Sequence, residues 1–236
     1  MLKQIIIKIA NSLGVDIYQK PGKFYKNFLK ILSKNQIDCV IDVGANVGQY
    51  SLKLRKYGYQ GDIYSFEPII TTFNLLEENS KQDNKWHIQN FALGANNGQE
   101  SINISQNTES SSIFNINEIH TQNAPKAKYI GKETITIKKL DDIFPEICSN
   151  KKGIFLKIDT QGYEMEVLKG AEKSLEKITG LQIEMSLTKL YENEILFDEI
   201  ISYLKSRKFN LCQIETGIVD NNTGNLLQFD GIFLKQ

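Results

Sequence analysis

Short apolar runs of about five residues recur along this chain, many of them rich in β-branched side chains. Between them lie stretches whose apolar positions fall three or four apart, the spacing of one helix face. Cys39–Val43, Asp62–Phe66, Trp86–Asn90, Ile154–Ile158, Leu181–Met185, Phe209–Glu215 and Asp230–Leu234 read as strands. Lys23–Ser33, a segment starting near Val47 and stopping at Tyr57-Gly58, Thr71–Leu76, Glu164–Leu175 and Asn193–Arg207 read as helices. Cys39-Val40-Ile41 suits a strand covered on both faces. Pro68, directly after the second strand, cannot continue a sheet ladder. Asn221-Asn-Thr-Gly224 is a turn, so the last two strands should form a hairpin.

Strands alternating with helices predict an α/β domain with a doubly wound, mostly parallel sheet and an antiparallel last strand. The rhythm loosens in the middle. Glu100–Ile104 and Glu133–Lys138 alternate apolar and polar residues, and the segment from Ser105 to Gly131 is a long polar insertion. Insertions of that length usually serve as lids or binding loops, or stay disordered. No internal repeat or linker splits the chain. Residues 1–36 read as a helical appendage and 37–236 as the α/β domain.

Charge and cysteine content narrow the partners. Twenty-eight basic and 28 acidic residues cancel, which gives no long-range pull on nucleic acid or anionic lipid. Three scattered cysteines make neither a disulfide framework nor a zinc knuckle, so a cytoplasmic, reducing location is expected. Met1–Ala10 carries Lys3 and Lys8 within its apolar residues. It is therefore read as an amphipathic helix rather than a secretory leader or a span, which needs about 20 apolar residues. Its uses would be packing on the domain, a homodimer contact shared with the second helix, or weak attachment to a membrane surface.

The candidate chemistry begins at Asp38–Tyr50, DCVIDVGANVGQY. A buried strand that turns through Gly44 and Gly48 into a helix leaves backbone N–H groups and a positive helix end facing one point. The spacing is GxxxG rather than the GxGxxG of pyrophosphate-binding turns, which favours a nucleoside carrying an amino-acid tail over a dinucleotide. Glu67 ends the second strand, 19 residues after Gly48. A carboxylate at that place can accept from both ribose hydroxyls.

Five blocks in order now resemble the FkbM family of S-adenosylmethionine-dependent methyltransferases. They are Asp42–Gly48, Phe66-Glu-Pro68, Asn90-Phe-Ala-Leu-Gly94, Leu156–Ala171 (LKIDTQGYEMEVLKGA) and Gln228–Leu234. The resemblance runs from about Asp38 to the C-terminus. It implies a Rossmann-like class I methyltransferase fold with seven strands. It also implies that Asp42, Gly44, Asn46 and Gly48 surround the methionine end of the cofactor, that Glu67 takes the ribose, and that Asn90, Phe91 and Ala92 lie along the adenine. Asp42 is further expected to organise the glycine turn. Ser110–Ser112 resembles a serine-bearing stretch of the family, which puts Ser112 near cofactor or acceptor.

Asp159 should end a central strand at the crevice where such sheets bind ligands, beside the cofactor and placed to accept a proton from an acceptor hydroxyl. Glu164 could polarise a second hydroxyl or serve as a charge at a helix N-terminus. Gly162 would let substrate approach closely. Lys157 points to the same face as Asp159, so the two could pair. His120, in the polar insertion, could swing over the site as a base, whereas His87 reads as structural. Glu184 ends another strand and, with Asp159, would suit magnesium, but no dense ligand cluster demands a metal.

The resulting expectation is O-methylation of a small-molecule or saccharide hydroxyl, on a sugar, glycan, glycolipid or secondary metabolite. The alternatives are an NAD- or nucleotide-sugar-binding oxidoreductase, disfavoured by GxxxG and the absence of a Tyr-x-x-x-Lys pair, and a non-catalytic cofactor-binding scaffold. Neutral charge disfavours a nucleic-acid substrate.

Overall fold

The structure is a computed structural model that describes residues 22–236. The N-terminal helix expected over Met1–Ala10, and its part in any homodimer contact, lie outside the described residues. The strands are β1 Cys39–Val43, β2 Asp62–Phe66, β3 Trp86–Gln89, β4 Ala92–Leu93, β5 Gly98–Ser105, β6 Tyr129–Lys138, β7 Ile154–Ile158, β8 Gly180–Ser186, β9 Phe209–Thr216 and β10 Gln228–Lys235. The helices are α1 Lys23–Lys34, α2 Gln49–Lys56, α3 Ile70–Ser80, α4 Glu118–Asn123, α5 Leu140–Cys148, α6 Glu164–Gly170 and α7 Phe197–Ser206.

Seven strands form the main sheet in the order β3-β2-β1-β7-β8-β10-β9. All neighbours are parallel except β10, which runs antiparallel to both β8 and β9. The Rossmann-like architecture and the reversed last strand are thus as expected. The reversed strand slots between β8 and β9 rather than at the edge. Strands β1 and β7 are buried along their whole length, which explains their near-continuous apolar sequences.

One face of the sheet packs on α5, α6 and α7 through residues such as Phe144, Leu168 and Leu204. The other packs on α1, α2 and α3 through Phe28, Leu54 and Leu76. Phe28 is fully buried, with its ring 5.2 Å from that of Phe155 on β7. Helix α1 thus shares the core of the sheet.

Several boundaries differ from the sequence expectation, each for a local reason. Helix α2 begins at Gln49 rather than near Val47 because Asn46 and Gly48 adopt left-handed backbone conformations. Helix α6 stops at Gly170 because the N–H groups of Lys173 and Ser174 bond the Asp141 carboxylate rather than the carbonyl oxygens four residues back. Helix α7 starts at Phe197, not Asn193, because Glu194 folds back to accept from the N–H groups of Leu190 and Tyr191. Helix α5 forms despite Pro145 inside it, a residue that interrupts the helical pattern of its sequence.

The two alternating segments in the middle pair with each other. Strands β5 and β6 form an antiparallel hairpin that joins β4 in a separate three-stranded sheet. The polar insertion between them is folded rather than loose, and it lies across the C-terminal ends of the main strands.

Candidate active site

A cavity of about 540 Å³ opens over the C-terminal ends of β1, β2 and β7. This is the crevice where an open α/β sheet presents loops and helix ends to a ligand. Strand β1 delivers the chain into the turn Gly44–Gly48. Gly44 has φ +73°, and a Cβ there would meet the Asp159 carbonyl oxygen at 1.8 Å, so only glycine lets the turn pass against the end of β7.

Glu67 is 5% exposed and lines the cavity beside this turn. One carboxylate oxygen accepts from the Ile69 N–H and the other from the Asn46 N–H, each at 2.9 Å. Each oxygen therefore keeps a lone-pair site beyond its backbone bond. Burial raises the Glu67 pKa to about 7, although the two N–H donors pull it down. Ala92, Ile102, Ile113 and Ile135 form an apolar wall at this end.

Lys157 anchors the floor. Its ammonium donates to the Gly44 carbonyl oxygen at 3.0 Å and lies 3.1 Å from Asp42 and 3.5 Å from Asp159. Burial pulls its pKa down, but Asp42 and Asp159 outweigh burial and hold it above the usual lysine range. Asp42 is fully buried and also accepts from the Ser51 hydroxyl at 3.0 Å. The pairing of Lys157 with Asp159 foreseen from their shared face is therefore present, with Asp42 as a third member.

Beyond Asp159 the wall is acidic. Glu184 on β8 and Asp230 on β10 are register partners, and both line the cavity. Burial and the nearby Asp159 raise the pKa of each. The Gln161 side-chain amide donates to Asp159 at 2.7 Å and to Glu184 at 2.5 Å, so these two carboxylates, considered above as a magnesium pair, share an amide.

The insertion forms the roof. Thr108 accepts from the Asn46 side chain at 3.2 Å, and Ser110 and Ser111 line the cavity. His120 also lines it, but not as a swinging base. Helix α4 holds it 1% exposed and edge-on to Tyr191, with both ring nitrogens unpartnered. Burial lowers its pKa to about 4, so it is neutral near pH 7.

The structure thus brings Gly44, Asn46, Glu67, Ala92, Asp159 and His120 onto one cavity wall. Other residues singled out in the sequence stand behind it. Gly48 backs onto Trp86 and Leu76, where a Cβ would come within 2.8 Å of both. Asn90 ties the chain by donating to the Glu67 and Pro68 carbonyl oxygens. Ser112 is buried and donates to the Gln161 carbonyl oxygen at 2.6 Å. Glu164 accepts from the N–H groups of Thr160 and Gly162 at 2.8 and 3.2 Å, which pins the loop after β7 rather than facing a ligand. Burial, with Glu194 adding to it, raises its pKa to about 7. Sequence reading passed over Asp230 and the individual role of Gln161. Both polar side chains sit within motifs whose other residues carried the signal.

The sequence profile of the Methyltransferase FkbM domain matches residues 42–211, which cover most of this cavity's wall. The chain belongs to the FkbM methyltransferase family. Relatives of this family member include Methyltransferase 1 of Beauveria bassiana, 28% identical over 145 residues that cover 56% of this chain and 58% of that protein. They also include hexuronic acid methyltransferase AglP of Haloferax volcanii, 26% identical over 180 residues that cover 73% of this chain and 69% of that protein. The FkbM chain therefore spans little more than half the length of the fungal relative. Among solved structures, the methyltransferase FkbM of Methylobacillus flagellatus aligns with a TM-score of 0.51 at 16% identity, over 84% of this chain and 43% of the other. An rRNA methylase from Streptococcus thermophilus aligns with a TM-score of 0.50 at 11% identity, over 92% and 99%. These two likenesses establish the fold.

Proposed function

We propose that this protein transfers a methyl group from S-adenosylmethionine to a hydroxyl oxygen of a saccharide or similarly hydroxylated small molecule. The observation that carries the reading is Glu67, a buried carboxylate held by two backbone N–H groups at the lip of a glycine turn. A carboxylate so held suits a pair of vicinal hydroxyls, and the apolar wall of Ala92, Ile102 and Ile135 beside it suits a purine. The tight turn at Gly44 leaves room where a side chain would clash. These residues fit the cofactor that the family and fold imply. When bound, the cofactor supplies an electrophilic methyl group on a sulfonium.

The remaining residues orient and deprotonate the acceptor. Asp159, 34% exposed at its side chain, has one oxygen engaged by Gln161 and the other toward Lys157 and the cavity. It is placed to accept the hydroxyl proton, a contribution of about 10²–10⁴-fold in rate. Glu184 and Asp230 offer further partners to hydroxyl groups. The name of AglP supports a sugar acceptor, because that relative is a hexuronic acid methyltransferase.

Titration calorimetry with S-adenosylhomocysteine and NAD tests the cofactor. Transfer of labelled methyl from S-adenosylmethionine to a panel of saccharides, with the product's methylated atom located by NMR, tests the acceptor. Binding of the first ligand alone and an O-methyl product are expected. Binding of NAD alone would overturn the cofactor assignment, and an N- or C-methyl product would overturn the acceptor chemistry.

A further inference from the structure

Four carboxyl side chains stand in one row across strands β7, β8, β10 and β9. Ile158 on β7 pairs with Ile183 on β8, so Asp159 follows at the level of Glu184. Glu184 is the register partner of Asp230 on β10, and Asp230 is that of Glu215 on β9. Residues directly opposite each other project from one face of a sheet, and all four line the cavity. Like charges so placed are destabilising. Burial first, and then the neighbouring carboxylates, raise the pKa of Glu184, Asp230 and Glu215.

The positive charge within reach is committed elsewhere. Among the described residues, two lysines line the cavity. Lys157 is shared between Asp42 and Asp159. Lys53 donates to the Tyr25 hydroxyl at 3.2 Å, and its charge eases Glu215 and Asp230 only from a distance. Neutral amides hold the row in place. Gln161 clamps Asp159 and Glu184, and Gln182 donates to Asp230 at 3.0 Å.

A hydroxyl-rich ligand is the complement of such a row. A hydroxyl donates to an ionised carboxylate and accepts from a protonated one, so it fits whichever members hold protons. A ligand carboxylate can only accept, and it brings charge of the row's own sign. The roof adds an independent sign of a polar ligand. His120 lines the same cavity, buried, with both ring nitrogens unpartnered. It stands edge-on to Tyr191, whose hydroxyl donates to the Gln161 clamp at 2.7 Å, which puts it on the row's side of the cavity. A buried polar group without a partner is costly, and a neutral imidazole offers one donor and one acceptor, the pair that a hydroxyl answers.

We propose that this row is the acceptor subsite and that it selects a neutral, polyhydroxylated sugar over the matching uronic acid. The inference rests on the methyl-transfer reading above and adds to it the charge class of the acceptor. It sets this chain apart from AglP, a hexuronic acid methyltransferase.

The test loads the protein with S-adenosylhomocysteine and titrates it by calorimetry with a panel of methyl hexosides and their uronates. Each pair differs only in a carboxylate for the hydroxymethyl group. Wild-type protein should bind the best neutral glycoside at least about tenfold more tightly than its uronate. Asp230→Asn keeps the side chain's shape and its bond from Gln182 while removing an acid. It should cut that preference about threefold or more, mainly by improving the uronate, and leave S-adenosylhomocysteine within about twofold. Thermal melts identify a variant that fails to fold, and Glu215→Gln, at the outer end of the row, then decides the matter. A uronate bound as tightly as its neutral partner, or a preference unchanged in both variants, would overturn the charge class and leave the methyl-transfer reading standing. Binding of S-adenosylhomocysteine with no sugar bound at all would overturn the saccharide acceptor and this inference with it. Failure to bind S-adenosylhomocysteine would overturn both through the cofactor.

Discussion

The Lys157 ammonium stands 3.1 Å from the carboxylate of Asp42, a residue with no exposed surface. The pair joins neighbouring strands β1 and β7 directly beneath the glycine turn. Removing one partner of a buried pair leaves an uncompensated charge, which costs about 3–5 kcal/mol. Lys157→Met should therefore lower the unfolding free energy by that amount in denaturant titration, and the double variant Lys157→Met/Asp42→Asn should recover much of it. A single variant within about 1 kcal/mol of wild type would show that the pair contributes little.

Glu67 should make ligand binding proton-linked if it holds the proposed cofactor's ribose. Its pKa rises from 4.5 to about 7 on folding, so the folded state keeps a proton that the unfolded state has lost across that interval. Stability from this group is present below about pH 4.5 and is lost as the pH rises through about 7. Hydroxyl donors favour the ionised carboxylate, so S-adenosylhomocysteine binding near pH 6.5 should release a fraction of a proton. Calorimetry in buffers of different ionisation enthalpy measures it, and Glu67→Gln should abolish the release. The same release in the variant would assign the proton to another group.

Gly44→Ala tests the close approach of the turn to β7. The substitution combines a Cβ at 1.8 Å from a backbone oxygen with a positive φ of +73°. Strain of this kind costs about 1–3 kcal/mol for the backbone alone, and the clash adds to it. A drop in melting temperature of several degrees is expected, together with loss of S-adenosylhomocysteine binding. Wild-type affinity in the variant would show that the turn can move aside.

His120 should destabilise the fold in acid. Its pKa falls from 6.5 to about 4 on burial, so between those values the unfolded chain takes up a proton that the folded chain refuses. Stability from this group is present above about pH 6.5 and lost as the pH falls toward 4. His120→Phe, which keeps a ring against Tyr191, should lose less melting temperature than wild type between pH 7 and pH 5. Parallel melting curves would mean that the imidazole is not buried in solution.

The insertion from Ser105 to Gly131 shows what local pattern conveys and what it omits. Its serine, asparagine and threonine content read as a loop, because polar side chains normally prefer water. In the fold they find partners in one another and in distant backbone. Ser105 bonds Asn107 and Ser111, Asn103 reaches the carbonyl oxygens of Ser112, Ile113 and Phe114, and Ser112 reaches Gln161. Hydrogen bonds between residues up to 98 positions apart leave no periodicity to read.

By itself the sequence determined most of the strands and helices, since burial on both faces or one face imprints a period on the chain. It also determined the glycine turn with Glu67 and Asp159 at strand ends, because chain direction alone brings such ends to one crevice. Tertiary structure decided the rest. Only the packing of β5 against β6 makes a second sheet, only α4 fixes His120 in the roof, and only the register of β8 with β10 sets Glu184 beside Asp230. The Asp42–Lys157–Asp159 cluster and the Gln161 clamp depend on distances between strands that sequence spacing does not encode.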